Sequence, residues 1–160
     1  MPRFDKILTR VGGYDCTSKG ASTFMVEMQE ISTILNRATP KTLVVVDELG
    51  RGTSTHDGFG IAWAVVDRLI QTNSVLLFAT HFHELSLMEK ENKTAVQNLS
   101  VNAYVPSDGS SITMLYNVVN GPCLSSYGID VSKMLKFPLE IVQDATEIST
   151  SLEKRNKHLG

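Results

Sequence analysis

Lysine never follows glycine in these 160 residues, and that absence is the most informative one. A phosphate-binding loop of the G-x-x-x-x-G-K-[ST] kind needs that pair, so a complete nucleotide site is excluded from this segment. Cysteine is scarce, with only Cys16 and Cys123, which excludes a disulfide scaffold and favours a reducing compartment. No apolar run approaches the ~20 residues of a membrane span, and Met1 to Thr9 is mixed and charged, unlike a signal peptide. The Asn-x-Ser/Thr triplets at Asn92 and Asn98 are therefore read as chance matches. Neither sign of charge dominates: 15 Lys+Arg stand against 17 Asp+Glu, a net of −2. This excludes a histone-like basic tail while leaving room for a local phosphate site. Internal repeats and low-complexity tracts are also missing. What remains is ordinary for one globular domain with a small appendage, with 42% hydrophobic residues and a length that buries roughly 70% of the unfolded surface.

Two apolar runs end in polar residues. Leu43-Val44-Val45-Val46 leads into Asp47-Glu48, and Val75-Leu76-Leu77-Phe78-Ala79 leads into Thr80-His81. Continuous apolar runs predict central parallel strands buried on both faces. Between them Asp57 can cap a helix with Ile61, Val65 and Leu69 on one stripe, giving a βαβ unit. An earlier helix is predicted from Ser22 to about Arg37. Ser22 or Thr23 caps it, Phe24, Met28, Ile31 and Leu35 form its stripe, and Pro40 stops it. Trp63, Met25 and Met28 are expected in the core. Residues 95–105 and 111–119 read as a hairpin around Pro106-Ser107-Asp108-Gly109. Two helices should follow, near 126–135 and 138–153, the second opened by Pro138.

Ligands of parallel sheets bind outside the carboxyl ends of the strands. Asp47-Glu48 and Thr80-His81 both fall at that edge. An acid after a hydrophobic strand can hold Mg²⁺, directly or through water. A neighbouring carboxylate can orient a water for attack, and a histidine across from it can bond a phosphate oxygen. One polar strand end reads as a solvated terminus. Two, followed by the loop Gly50-Arg51-Gly52-Thr53-Ser54-Thr55, favour a functional edge. That loop offers backbone N–H groups and hydroxyls without bulk, although alone it also reads as a plain βα connection. Ser22-Thr23, after Gly20, heads a helix whose free N–H groups can serve an anion or merely be capped. His81-Phe82-His83-Glu84, with His56, permits a zinc reading. Against it, Glu84-Leu85 looks like the opening of a helix, which turns His83 away.

These segments, in this order, resemble the ATPase domain of MutS-family mismatch-repair proteins. Gly20-Ala21-Ser22-Thr23-Phe24-Met25-Val26-Glu27-Met28 resembles the family's signature segment, and Asp5-Lys6-Ile7-Leu8-Thr9-Arg10-Val11-Gly12 the stretch before it. Residues 43–55 resemble its Walker B strand and following loop, and Ala79-Thr80-His81-Phe82-His83-Glu84-Leu85 its switch-histidine segment. The resemblance covers about residues 3–150. Thr113-Met114-Leu115-Tyr116 and Phe82-His83-Glu84-Leu85 lean towards the eukaryotic type that serves as common subunit of mismatch-binding heterodimers.

The resemblance implies an α/β fold: part of a P-loop NTPase of the ABC-ATPase type with a mainly parallel sheet, then a C-terminal helix-turn-helix. Residues 1–122 would be the second part of the ATPase domain and 123–160 a helical dimerisation segment. It implies ATP and Mg²⁺ as cofactors. Asp47 would hold the Mg²⁺ shell, Glu48 would polarise the attacking water and His81 would sense the γ-phosphate. Gly20, Ser22, Thr23, Ser54 and Thr55 would lie against nucleotide, with Ser22 completing the site of the opposite subunit. It further implies a second MutS-family subunit, a MutL-family protein, and mismatched double-stranded DNA held by domains outside this segment. The compartment would be the nucleus, with no membrane role. The family's phosphate loop is expected upstream of Met1, so the segment alone, read as a fragment, should not act as a DNA-dependent ATPase. Two other readings use the same residues: a non-catalytic dimerisation or regulatory module, and a metal hydrolase built on His81, His83 and Asp47.

Overall fold

The computed structural model describes residues 3–12, 23–106, 111–123 and 126–157. Gly20 and Ser22 lie outside the described residues, as does most of the predicted hairpin turn. The chain divides into two compact units, Met1–Ala95 and Val96–Gly160.

The first unit alternates strand and helix: β1 (Lys6–Arg10), α1 (Thr23–Arg37), β2 (Thr42–Asp47), α2 (Thr55–Gln71) and β3 (Val75–Ala79). A 3-10 turn (His83–Leu87) and the one-turn helix α3 (Met88–Glu91) follow. The strands form a parallel sheet in the order β1-β2-β3, with Leu8 level with Val44 and Val44 level with Leu76. The strand β1 adds to the two that the sequence predicts. With only Ile7 and Leu8 apolar among its five residues, it escapes a search for continuous runs.

Side chains alternate across a strand, so each register row belongs to one face. Val44 and Val46 point to the face where α1 and α2 pack, in a cluster with Ile31, Ile34, Leu49, Val65 and Leu69. Leu8, Leu76 and Phe78 extend it from the flanking strands. The α1 stripe is therefore centred on Glu27, Ile31 and Ile34, and Met25 is exposed, contrary to the core expectation. Trp63 is half-buried, packed on Phe59 at 5.8 Å between ring centres. The cap of α2 also differs from expectation. Ser54 is the N-cap, its Oγ accepting from the Asp57 N–H at 3.2 Å, and Asp57 lies inside the first turn.

On the opposite face the flanking strands are largely uncovered by the described residues. Ile7, Val75 and Leu77 are 62%, 41% and 56% exposed, although β3 reads as doubly buried in sequence. The run in β3 is apolar on both sides, yet among the described residues of this unit only the side towards the helices has a covering layer. Parallel sheets normally carry a layer on each face. We therefore expect the 160-residue chain to self-associate through this surface. Lysine at both Ile7 and Leu77 should shift it towards monomer in light scattering. An unchanged particle size in that double variant would place the driving surface elsewhere.

In the second unit β4 (Leu99–Tyr104) and β5 (Thr113–Asn120) form the expected antiparallel pair, with a register shift between Val101 and Ala103. Tyr116 sits opposite that irregularity at φ 50°, a left-handed conformation that a bulge accommodates. Two helices follow, α4 (Gly128–Met134) and α5 (Leu139–Lys157), near their predicted bounds. Among the described residues no helix is long and apolar enough to cross a membrane.

Candidate functional site at the carboxyl edge of the parallel sheet

The register builds the site. Asp47 closes β2 level with Ala79, the last residue of β3, so Asp47-Glu48 and Thr80-His81 leave adjacent strands at the same edge. On the other side Arg10 is level with Val46, which brings the β1 end to that edge too. There a Cβ added to Gly12 would stand 4.0 Å from Asp47 Oδ2. Asp47 and Glu48 are half-buried, and His81 is exposed against the ring of Phe82, 4.3 Å between ring centres. Three of the residues expected to carry chemistry thus share one edge, for the expected reason that β2 and β3 are parallel neighbours.

Backbone geometry sharpens the turn after β2. Glu48 has φ 51° and its N–H donates to Ala79 O at 3.0 Å, which ties the turn to the end of β3. A non-glycine residue there is uncommon and carries strain of order 1–3 kcal/mol. Its carboxylate accepts from Arg51 Nη1 at 2.8 Å. An exposed pair of this kind is worth about 0–1 kcal/mol, so it orients Glu48 without locking it.

The loop that follows is held on two sides. Gly50 has φ 90°, and its backbone touches that of Gly58 in the first turns of α2: a Cβ on Gly50 would fall 2.7 Å from Gly58 Cα. From the α1 side, Glu27 Oε1 accepts the Gly50 N–H at 3.3 Å. Gly52 lies against Phe24, where an added Cβ would be 3.1 Å from Phe24 Cβ. Glu27 is only 4% exposed. Arg10 faces it at 3.8 Å and pairs with Glu30 at 3.0 Å, the latter a close ion pair without hydrogen-bond alignment. Sequence reasoning missed Glu27. The signal was present, because Glu27, Ile31 and Ile34 share one helical face and a carboxylate on such a face needs partners.

The remaining expected residues are distributed as follows. Thr23 begins α1 and is exposed. Ser54 and Thr55 are exposed at the start of α2, with the Ser54 hydroxyl engaged in capping. His83 opens the 3-10 turn beyond the strand, so His81 and His83 are not on one strand face. Among the described residues no group of three or more His, Cys, Asp or Glu side chains is placed to hold a metal ion.

The fold and edge define a mixed α/β domain with a small parallel sheet and an acidic carboxyl edge. Residues 1–153 match the family model described as MutS domain V. The chain is 45% identical over 156 residues to the DNA mismatch repair protein MSH2 of Arabidopsis thaliana, covering 93% of this chain and 17% of that protein. It is 46% identical over 153 residues to the DNA mismatch repair protein MutS of Caldicellulosiruptor saccharolyticus, covering 94% and 17%. With the MutS of Clostridioides difficile the figures are 47% over 158 residues, 98% and 16%. The chain belongs to the MutS family of DNA mismatch repair proteins, of which it spans the domain V segment, 16–17% of the length of these relatives.

Proposed function

We propose that this chain supplies the hydrolytic half of the ATP site in a MutS-type mismatch repair protein, within an ABC-type ATPase domain. The reading is carried by one observation: Asp47-Glu48 and Thr80-His81 emerge side by side at the carboxyl edge of the parallel sheet. Phosphoryl transfer depends mainly on positioning and charge stabilisation, and this edge offers both. Asp47 contributes a half-buried carboxylate, a hard oxygen donor of the kind Mg²⁺ takes while keeping several waters. The ion would neutralise charge on the phosphates when bound. Glu48 accepts a hydrogen bond from the attacking water and draws its proton. His81 donates to a γ-phosphate oxygen from the neighbouring strand. The phosphate-binding lysine comes from a segment other than these 160 residues. In this reading the C-terminal helices dimerise as a helix-turn-helix, a MutL-family protein and mismatched DNA are the other partners, and the nucleus is the compartment of the common-subunit type.

In this reading Ser22 and Thr23, the latter the first residue of α1, face the nucleotide of the opposite subunit, because a signature helix of the ABC type points away from its own subunit's phosphates. A mixing experiment tests this. This chain replaces the matching segment of the Clostridioides difficile MutS, and a Ser22→Ala subunit is paired with a Glu48→Gln subunit. If Ser22 acts across the interface and the sites work independently, both lesions strike one composite site and the other continues to turn over ATP. Background turnover in a folded, dimeric heteropair would assign Ser22 to its own subunit and end the composite-site reading.

A further inference from the structure

We infer that Glu27 is a positioning residue for the Glu48 carboxylate, acting through the Gly50 N–H. The inference rests on the ATP-site reading above and deepens it. Glu27 is buried in α1, and no direct role in the chemistry falls to it. Its Oε1 reaches across to the loop after β2 and accepts from Gly50, two residues beyond Glu48. Between Glu48 and Gly50 the chain makes two left-handed steps, at φ 51° and φ 90°. A backbone in that conformation holds only where its surroundings determine it. Leu49, between the two, is fully buried in the core and anchors the middle of the turn. Gly58 closes the loop from α2, and Glu27 from α1.

The same helix touches the loop again one turn earlier, where Phe24 meets Gly52. Phe24 and Glu27 are three residues apart and so share a face of α1. The helix whose first residue is Thr23 therefore bears directly on the turn that aims Glu48. Arg10, on β1, lies 3.8 Å from the same Oε1 and keeps the carboxylate from being a lone buried charge. Through these contacts the helix assigned to the opposite subunit's nucleotide also sets the geometry of its own subunit's water-orienting group. A shift of α1 would be felt at Glu48.

An acceptor role and a charge role give opposite patterns on substitution. Glu27→Asp keeps the charge beside Arg10 but withdraws the oxygen by about 1.5 Å, one C–C bond, so it no longer reaches Gly50. Glu27→Gln loses the charge and keeps an acceptor oxygen at the same reach. Two measurements are made on each variant. Amide exchange is followed in this chain, and ATP turnover and nucleotide binding are followed in the Clostridioides difficile chimera. For Glu27→Asp we expect the Gly50 amide to exchange roughly tenfold faster or more while the β2 amides are unchanged. We expect kcat to fall by about 10²-fold, as misplacement of a catalytic group by 1 Å can cause, with nucleotide affinity retained. Glu27→Gln should restore both towards the parent values.

Normal turnover in Glu27→Asp, in a chimera where Glu48→Gln abolishes turnover, overturns the positioning role and leaves the ATP-site reading standing. So does the reverse pattern, in which Asp is tolerated and Gln is not. If Gly50 exchange responds but kcat does not, the contact only holds the fold and the inference is wrong. If Glu48→Gln itself leaves turnover unchanged, the ATP-site reading fails first and the inference falls with it.

Discussion

Glu48→Gln should slow ATP turnover by about 10²–10⁴-fold while leaving nucleotide binding within a few-fold of the parent, measured in the Clostridioides difficile chimera. The amide matches the carboxylate in size and can still accept a hydrogen bond from Arg51, which lies 2.8 Å from the Glu48 carboxylate. The turn is held by backbone contacts that the substitution does not touch: Glu48 N–H to Ala79 O, and Gly50 N–H to Glu27. What the amide cannot do is take the proton of the attacking water. A loss confined to kcat therefore isolates the general-base contribution, whereas a parallel loss of binding would indicate a collapsed loop. Unchanged turnover would remove Glu48 from the chemistry and require another group at this edge to orient the water. His81 and Asp47 are the neighbours to test next.

Gly58→Ala and Gly60→Ala should have opposite effects on stability, although both sit in α2. In a helix interior alanine is favoured over glycine by about 1 kcal/mol. At Gly60 nothing lies within 4 Å of an added Cβ, so that gain is realised in full and the variant should be slightly more stable. At Gly58 the added Cβ would overlap the Gly50 carbonyl oxygen, lie 3.1 Å from the Gly50 carbonyl carbon, and sit 3.2 Å from Phe82 Cζ. Two of those atoms are backbone, which cannot swing aside as the end of a flexible side chain can. Overpacking of this kind costs about 1–3 kcal/mol, and a cost at the upper end outweighs the helical gain. Gly58→Ala should therefore lower the melting temperature by several degrees, at about 2–4 °C per kcal/mol for a chain of this size. It should also reduce turnover in the chimera, because the Gly50 backbone must move away from α2 and carry Glu48 with it. A Gly58→Ala protein as stable as Gly60→Ala would mean that the two backbones are not in contact.

The elements and the candidate edge were legible where the signal is local. Strands β2 and β3, helix α2, the hairpin and the two final helices follow from runs, periodicity and turn residues within a few positions of one another. The polar ends Asp47-Glu48 and Thr80-His81 could be placed together because a short crossover between two parallel strands brings their carboxyl ends to one edge. The family, too, could be read from motifs in order, since each is a contiguous string. Four things required the tertiary structure. The strand β1 pairs with β2 across the intervening helix α1, and its two apolar residues, Ile7 and Leu8, do not announce that partner. The exposure of Leu77 depends on which face the helices cover, which the apolar run itself cannot express. Ser54, rather than Asp57, became the cap because α2 begins at Thr55, three residues earlier than a helix capped by Asp57 would. Glu27 looked like a polar interruption of an apolar stripe until Gly50 and Arg10, distant in sequence, came to meet it. Local propensity acts over one or two turns of chain. The identity of the group that covers a face or satisfies a buried carboxylate is set by non-local packing, and only the folded arrangement decides it.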